Sequence, residues 1–294
     1  MTEDSPRRRA LILAVIVTVL WSSSWVIIRF GLDDAGLTPV TFAGLRYGSA
    51  ALLLLAVVLS RPVARRELRA LQPVHLARLA GLGVVFYTLT QGAQFVAIDH
   101  QPAATTSLVL AMTPLLVVAA SRRTLGEAPT GAQIGGALLV AAGALAYFSG
   151  SLGATAVGMV AAGIGLGSNV VAALLGRGVN RMQHSLPLIT TAVSMTVGAA
   201  LLVMAGLVVE GVPEITGKAV VVIAWLAVVN TAFAFTLWNH SLRHLTATES
   251  SVINNTMLVQ IALLAWVFLG ETPSAVQIVG IVAVSVGVMW SQRR

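Results

Sequence analysis

The sequence predicts an all-α integral membrane protein: ten transmembrane helices, arranged as two inverted five-helix repeats around a central cavity. Three observations predict it. Hydrophobic residues fill 57% of the 294 positions and charged residues only 10%, against roughly 25% charged in a soluble domain. Most of the 18 Lys and Arg residues fall on one side of the spans. The segment 125–143 recurs 144 residues later as 269–287. The first observation excludes an ordinary water-soluble enzyme. A span takes about 20 residues, so ten spans leave only short connections and no second, soluble domain.

Apolar runs separated by short polar breaks place the spans near 10–30, 39–59, 75–97, 102–120, 130–149, 154–176, 186–209, 219–242, 246–269 and 274–291. The tightest breaks are Asp99-His100-Gln101-Pro102 and 150–155. Arg7-Arg8-Arg9 before an apolar run imitates a signal peptide, but the run continues to about Ile28 with no small-residue cleavage site. It reads as an uncleaved first span.

With the N-terminus inside, the inner side receives Arg7, Arg8, Arg9, Arg61, Arg65, Arg66, Arg69, Arg78, Arg122, Arg123, Arg177, Arg181, Arg243, Arg293 and Arg294. Arg29 and Lys218 fall near the outer surface, and Arg46 lies inside span two. This positive-inside asymmetry predicts a multi-pass protein of the cell inner (plasma) membrane with both termini cytoplasmic. It also accounts for the pI of about 11.2 without a nucleic-acid partner. There are no cysteines, so thiolate metal sites and cysteine catalysis are excluded.

Between Leu125–Gly143 and Leu269–Gly287, nine of nineteen positions are identical, including Gln133/Gln277, Gly136/Gly280 and Gly143/Gly287. The same offset pairs His100 with His244 and Ser107 with Ser251. Residues 1–150 and 151–294 then form two five-helix halves. Five is odd, so the second half enters the membrane from the opposite side, with Glu127 facing the cytoplasm and Glu271 the outside. Inverted repeats of this kind suit alternating access to a site between the halves. Within the repeated motif, Thr130 with Gln133 and Ser274 with Gln277 have capping-box spacing. The glycines seven apart share a helix face and read as packing surfaces.

Trp21-Ser22-Ser23-Ser24-Trp25, the start of span two from Pro39 with Arg46, and the two Leu-Gly-Glu-x-Pro segments together resemble the EamA-type branch of the drug/metabolite transporter superfamily. Ser22 departs from the glycine common there. The resemblance covers essentially the whole chain. It implies ten spans, cytoplasmic termini, and a cavity lined by spans one, three, four, six, eight and nine, commonly for export of amino acids and related metabolites.

Polar groups inside hydrocarbon face a partner or a wet path. Tyr87, Gln91 and Gln94 at i, i+4, i+7 share one face of span three. Span one carries Trp21 and Trp25; span six Ser168 and Asn169 beside Gly163–Gly167, a run that bends easily; span eight Asn230 and Trp238; span nine Asn254. These ten residues are the expected substrate-binding set. No catalytic residue, metal site or cofactor is expected; His240/His244 is the nearest approach to metal spacing. Arg46 either ties span two to a neighbour, through carbonyls or Asp33, Asp34 or Glu271, or guides an anionic group. The structural role is favoured, so Arg46→Gln is expected to lower the yield of folded protein more than substrate affinity.

No carboxylate sits at mid-depth; Glu249 is closest, at the inner end of span nine. Obligatory proton coupling is therefore not expected. The neutral, aromatic and amide-rich lining suits small amphiphilic metabolites, above all neutral or aromatic amino acids, exported by a monomer. A multidrug or organic-cation exporter is the alternative. A lipid-acting membrane enzyme would need an acid/base pair or metal set that the sequence does not offer. A non-transporting scaffold would tolerate Trp21→Ala and Asn230→Ala.

Overall fold

A computed structural model describes the backbone of residues 4–35, 38–150, 152–269 and 272–293. Side chains of Trp25, Asp33, Asp34 and Glu271 lie outside the described set. Helices run in the order α1 (Asp4–Ala35), α2 (Pro39–Ser60), α3 (Pro62–Ala70), α4 (Pro73–Gly83), π1 (Val84–Thr90), α5 (Gln91–His100), α6 (Ala103–Ala111), α7 (Thr113–Leu125), α8 (Gly131–Phe148), α9 (Ala156–Arg181) and α10 (Pro187–Val209). They continue with α11 (Gly217–Trp225), π2 (Leu226–Phe233), α12 (Ala234–Ser241), α13 (Ala247–Asn254), α14 (Thr256–Leu269) and α15 (Ala275–Ser291). No strand occurs among the described residues. Eight of these helical runs are long and apolar enough to cross a membrane. The shorter α15 is equally apolar, and α1 carries Arg7, Arg8 and Arg9 in its first turns.

Local chemistry explains the boundaries. Pro39, Pro62, Pro73 and Pro187 each open a helix, where the missing N–H has no intrahelical partner to lose. Thr130/Gln133 and Ser274/Gln277 form complete capping boxes at α8 and α15, and Thr246/Glu249 forms a third at α13. Gly126 closes α7 in the left-handed conformation, φ 69°, where a side chain would be strained.

Three details depart from the sequence reading. The breaks within the expected fourth and ninth spans fall at Met112, just before Pro114, and at Asn255. The glycine run 163–167 does not unwind: α9 is one continuous helix, with Ala161, Ala162, Gly165 and Ser168 buried along one face. The helix α3 was not anticipated; nine residues are too few for a hydrophobicity window to register.

Two pairs of helices related by the 144-residue offset, α8 with α15 and α2 with α10, pack directly on each other. The seam of α8 with α15 is built from glycine. A Cβ on Gly136 would lie 2.5 Å from the Gly287 carbonyl oxygen, and one on Gly143 would lie 2.8 Å from the Gly280 carbonyl oxygen. As residue numbers rise along α8 they fall along its neighbour, so the two equivalent helices are antiparallel. The pair α2 and α10 behaves likewise: Gly44 faces Val203, and Gly206 faces Thr41. Two irregularities also repeat. The third and eighth expected spans both widen to π-helix, and the fourth and ninth both break.

Carboxylates hold both ends of α10, one to α3 and one to α2. Glu67 accepts from the Leu186 amide at the start of α10, at 2.6 Å. Glu210, at the end of α10, accepts from the Val40 and Thr41 amides and from the Thr38 and Thr41 hydroxyls at the start of α2. Burial raises the Glu210 pKa, but the hydrogen bonds from Thr38, Thr41 and Val40 outweigh it and hold the carboxyl below its usual range. A depressed folded-state value means this stabilisation is present above the ordinary carboxylate pKa of about 4.3 and is lost as pH falls through the folded value. Glu210→Ala is expected to cost about 0.5–2 kcal/mol, as for lost helix caps. Thermal melts at neutral pH check this; below the folded-state pKa the difference between variant and parent should narrow.

Candidate functional site

An aromatic cluster occupies the centre of the bundle. Trp21 of α1 packs against Phe235 and Trp238 of α12 at ring-centroid distances of 4.7 and 5.1 Å. Phe235 also meets Tyr87 of π1 at 5.2 Å, Phe86 at 5.5 Å and Tyr47 of α2 at 6.1 Å. Trp21, Tyr87 and Trp238 of this cluster belong to the expected substrate-binding set. Trp21, Tyr87, Phe235 and Trp238 are each more than nine-tenths buried, within one core cluster that also takes in residues of α10.

Polar groups frame this cluster. Asn230 of π2 is fully buried and its amide donates to the Leu20 carbonyl and, at 3.1 Å, to the Ser23 hydroxyl. Among the described residues its own carbonyl oxygen has no partner, and neither does the Trp21 indole N–H. Arg46 is buried beside its neighbour ring, Tyr47, and its Nε donates to the Thr231 hydroxyl at 2.8 Å. That contact ties α2 to π2. Thr231 was not among the partners expected for Arg46, and the three carboxylates that were lie outside the described side chains.

The remaining expected residues form a second group. The Thr90 hydroxyl of π1 donates to Ser168 of α9 at 3.2 Å, and the Asn169 amide donates to Thr113 at the start of α7 at 3.2 Å. Gln91 and Gln94 lie half-buried on α5, which packs on α9. Tyr87 lies in the π-helical turn 84–90, whose i→i+5 register changes the angular step, and it is buried against Tyr47 of α2 and beside Gly198 of α10. Asn254 ends α13 half-buried, with its carbonyl oxygen unpartnered.

Residues missed by sequence reasoning are mainly the packing aromatics Tyr47, Phe86 and Phe235, and a polar ladder on α1 and α14. In that ladder Ser22 donates to the Gln260 carbonyl oxygen at 2.8 Å, and the Gln260 amide donates to Thr18 and Thr256. A glutamine in the apolar run Leu258–Ile261 was the available signal. The 144-residue offset offers another. It sets Gln91 against Phe235 and Gln94 against Trp238, so equivalent positions carry amides in one half and rings in the other.

Ion pairs close one end of the bundle. Arg7 of α1 pairs with Glu249 of α13 at 2.6 Å. Glu127 pairs with Arg177 of α9 at 2.7 Å and accepts from the Ala247 amide at 3.0 Å. Glu249, the carboxylate nearest the interior, is thus committed to an arginine and to its own capping box. Nearby, Asn180, Asn239 and Thr191 form a buried hydrogen-bonded chain across α9, α12 and α10.

Known proteins share this architecture. A solved crystal structure superposes with a TM-score of 0.81, covering 97% of this chain and 96% of its own, at 20% identity. The "Probable terminal-alkyne amino-acid exporter" of Streptantibioticus cattleyicolor is 28% identical over 97% of this chain and 94% of its own length. The uncharacterized transporter YoaV of Bacillus subtilis is 24% identical over 93% of each. The EamA-like transporter family matches twice, over residues 8–149 and 156–292. The chain is a multi-pass membrane protein that belongs to the EamA-like transporter family, a transporter and not an enzyme.

Proposed function

We propose that the chain exports small amphiphilic metabolites, above all neutral or aromatic amino acids, by alternating access. The observation that carries this reading is the chemical division of the centre. One wall, on α1 and α12, is aromatic: Trp21, Phe235 and Trp238. A second group of elements, α5, α9 and α7, carries amides and hydroxyls: Gln91, Gln94, Ser168, Asn169 and Thr113. An apolar side chain stacks on the first; an ammonium and a carboxylate hydrogen-bond to the second and to the unpartnered Trp21 N–H and Asn230 and Asn254 carbonyls. The name of the Streptantibioticus cattleyicolor relative supports the amino-acid class.

In this reading residues 1–150 and 151–294 are two five-helix halves of opposite orientation. The double family match and the antiparallel pairs α8–α15 and α2–α10 support that arrangement. The arginine-rich end, closed by Arg7–Glu249 and Glu127–Arg177, faces the cytoplasm of the inner membrane, with both termini there. The packed rings represent a closed form, which opens when α1 and α12 part. Trp25, whose side chain is outside the described set, and Trp21, Tyr87, Gln91, Gln94, Ser168, Asn169, Asn230, Trp238 and Asn254 remain the proposed contacts. Tyr87 acts from behind Phe235 rather than from the wall. A monomer suffices, without cofactor or obligatory proton coupling.

Flux of labelled amino acids from reconstituted vesicles tests this. Neutral and aromatic amino acids should compete with one another and outcompete quaternary amines. Dominance by the amines would favour an organic-cation exporter, which the same aromatic wall could serve through cation–π contacts. Strong accumulation driven by an imposed pH gradient alone would overturn the uncoupled mechanism.

A further inference from the structure

We propose that α3 is a docking site for anionic phospholipid on the arginine-rich face of the membrane. The helix stands between two membrane-spanning runs: α2 ends at Ser60, and α4 begins at Pro73. That connection holds it at headgroup level. Its inner face is seated on the bundle. Ala64 is buried in the main core, with Leu68 and Leu71 packed against it, and Glu67 is bound to the Leu186 amide.

The outer face carries Arg61, Arg65, Arg66 and Arg69, all exposed. Arg61, Arg65 and Arg69 recur every four residues and so form one stripe. Glu67 is the only acid in the helix, and it is already engaged. Among the described residues none of these four guanidinium groups has a salt-bridge partner. Leu59, 51% exposed at the end of α2, and Val63, 73% exposed on the far side of Arg66 from the stripe, add apolar surface. Guanidinium groups bind phosphate bidentately. A basic stripe beside apolar anchors, fixed at the interface, matches a phosphodiester headgroup with its acyl chains descending along α2. The siting on the cytoplasmic leaflet rests on the orientation proposed above; the lipid chemistry does not.

Native mass spectrometry of the purified full chain, titrated with phosphatidylglycerol or phosphatidylcholine, tests the site. Phosphatidylglycerol should be retained at least about fivefold more tightly, on the scale of one charge-assisted contact. The variant R61Q/R65Q/R66Q/R69Q should lose that preference, and R122Q/R123Q, which removes exposed arginines elsewhere, should keep it. Should the quadruple variant melt early in phosphatidylcholine, R65Q/R69Q carries the same expectation with a partial loss. Equal retention of both lipids by the parent, or an undiminished preference in the variants, overturns the proposal. So does full displacement by millimolar glycerol phosphate, which would mark a soluble-phosphate site. Arg69→Cys, labelled with a membrane-impermeant thiol reagent in sided vesicles, reports the orientation separately. Labelling from the outside would overturn the leaflet while leaving the lipid preference standing.

Discussion

Gly143→Leu is expected to abolish recovery of folded protein, and Gly280→Leu to do the same. In lipid there is no hydrophobic drive between helices, so α8 and α15 associate through close backbone packing. A Cβ at Gly143 would stand 2.8 Å from the Gly280 carbonyl oxygen and 2.8 Å from the Val284 amide nitrogen; one at Gly280 would stand 2.6 Å from the Gly143 carbonyl oxygen. These are backbone atoms of a neighbouring helix, and they cannot turn aside as a side chain can. Overpacking a tight core costs typically 1–3 kcal/mol, and leucine adds further atoms to a gap with no room for the first. The control is Gly163→Ala, where nothing lies within 4 Å; alanine there should leave stability unchanged or slightly raised. Yield of monodisperse protein and melting temperature check both. A normally folded Gly143→Leu protein would mean that the two helices do not meet at that seam.

The two packing faces were legible in the sequence because two glycines seven apart, repeated after 144 residues, mark one face of each helix; that the faces meet each other is shown by the fold. Capping boxes at Thr130 and Ser274 were legible for a similar reason: the cap and its acceptor are three residues apart. The centre was less so. The contact of Trp21 with Trp238 joins spans one and eight and was not legible in either span alone, and no local pattern announces the π-turn that carries Tyr87. Arg46 found Thr231, a hydroxyl 185 residues away, where a carboxylate was sought. Phe235 was passed over because a phenylalanine in an apolar run looks like any lipid-facing residue; only its place opposite Gln91 in the repeat marks it. Composition reports which groups converge, whereas how closely Trp21, Phe235 and Trp238 pack on one another is a property of the conformation.

Trp21→Phe is the substitution that separates binding from packing at the centre. The indole ring makes two close aromatic contacts, with Phe235 and Trp238, and phenylalanine keeps most of that surface. What it removes is the buried N–H, which has no partner in the closed form. Leaving a buried donor unpaired is unfavourable by about 1–3 kcal/mol, so deleting it should hold the melting temperature or raise it. A purely structural tryptophan would therefore be replaced without loss. If instead the N–H is kept to meet the substrate, its removal forfeits one hydrogen bond in the bound state, worth roughly 1–1.5 kcal/mol or about tenfold in affinity. The expected result is a folded, equally stable variant whose initial export rate at subsaturating amino acid falls about tenfold. Trp238→Phe serves as the comparison, because the Trp238 indole is not among the unpartnered buried groups; its rate should change less. Unaltered export by Trp21→Phe would remove Trp21 from the binding set and assign the aromatic cluster to packing.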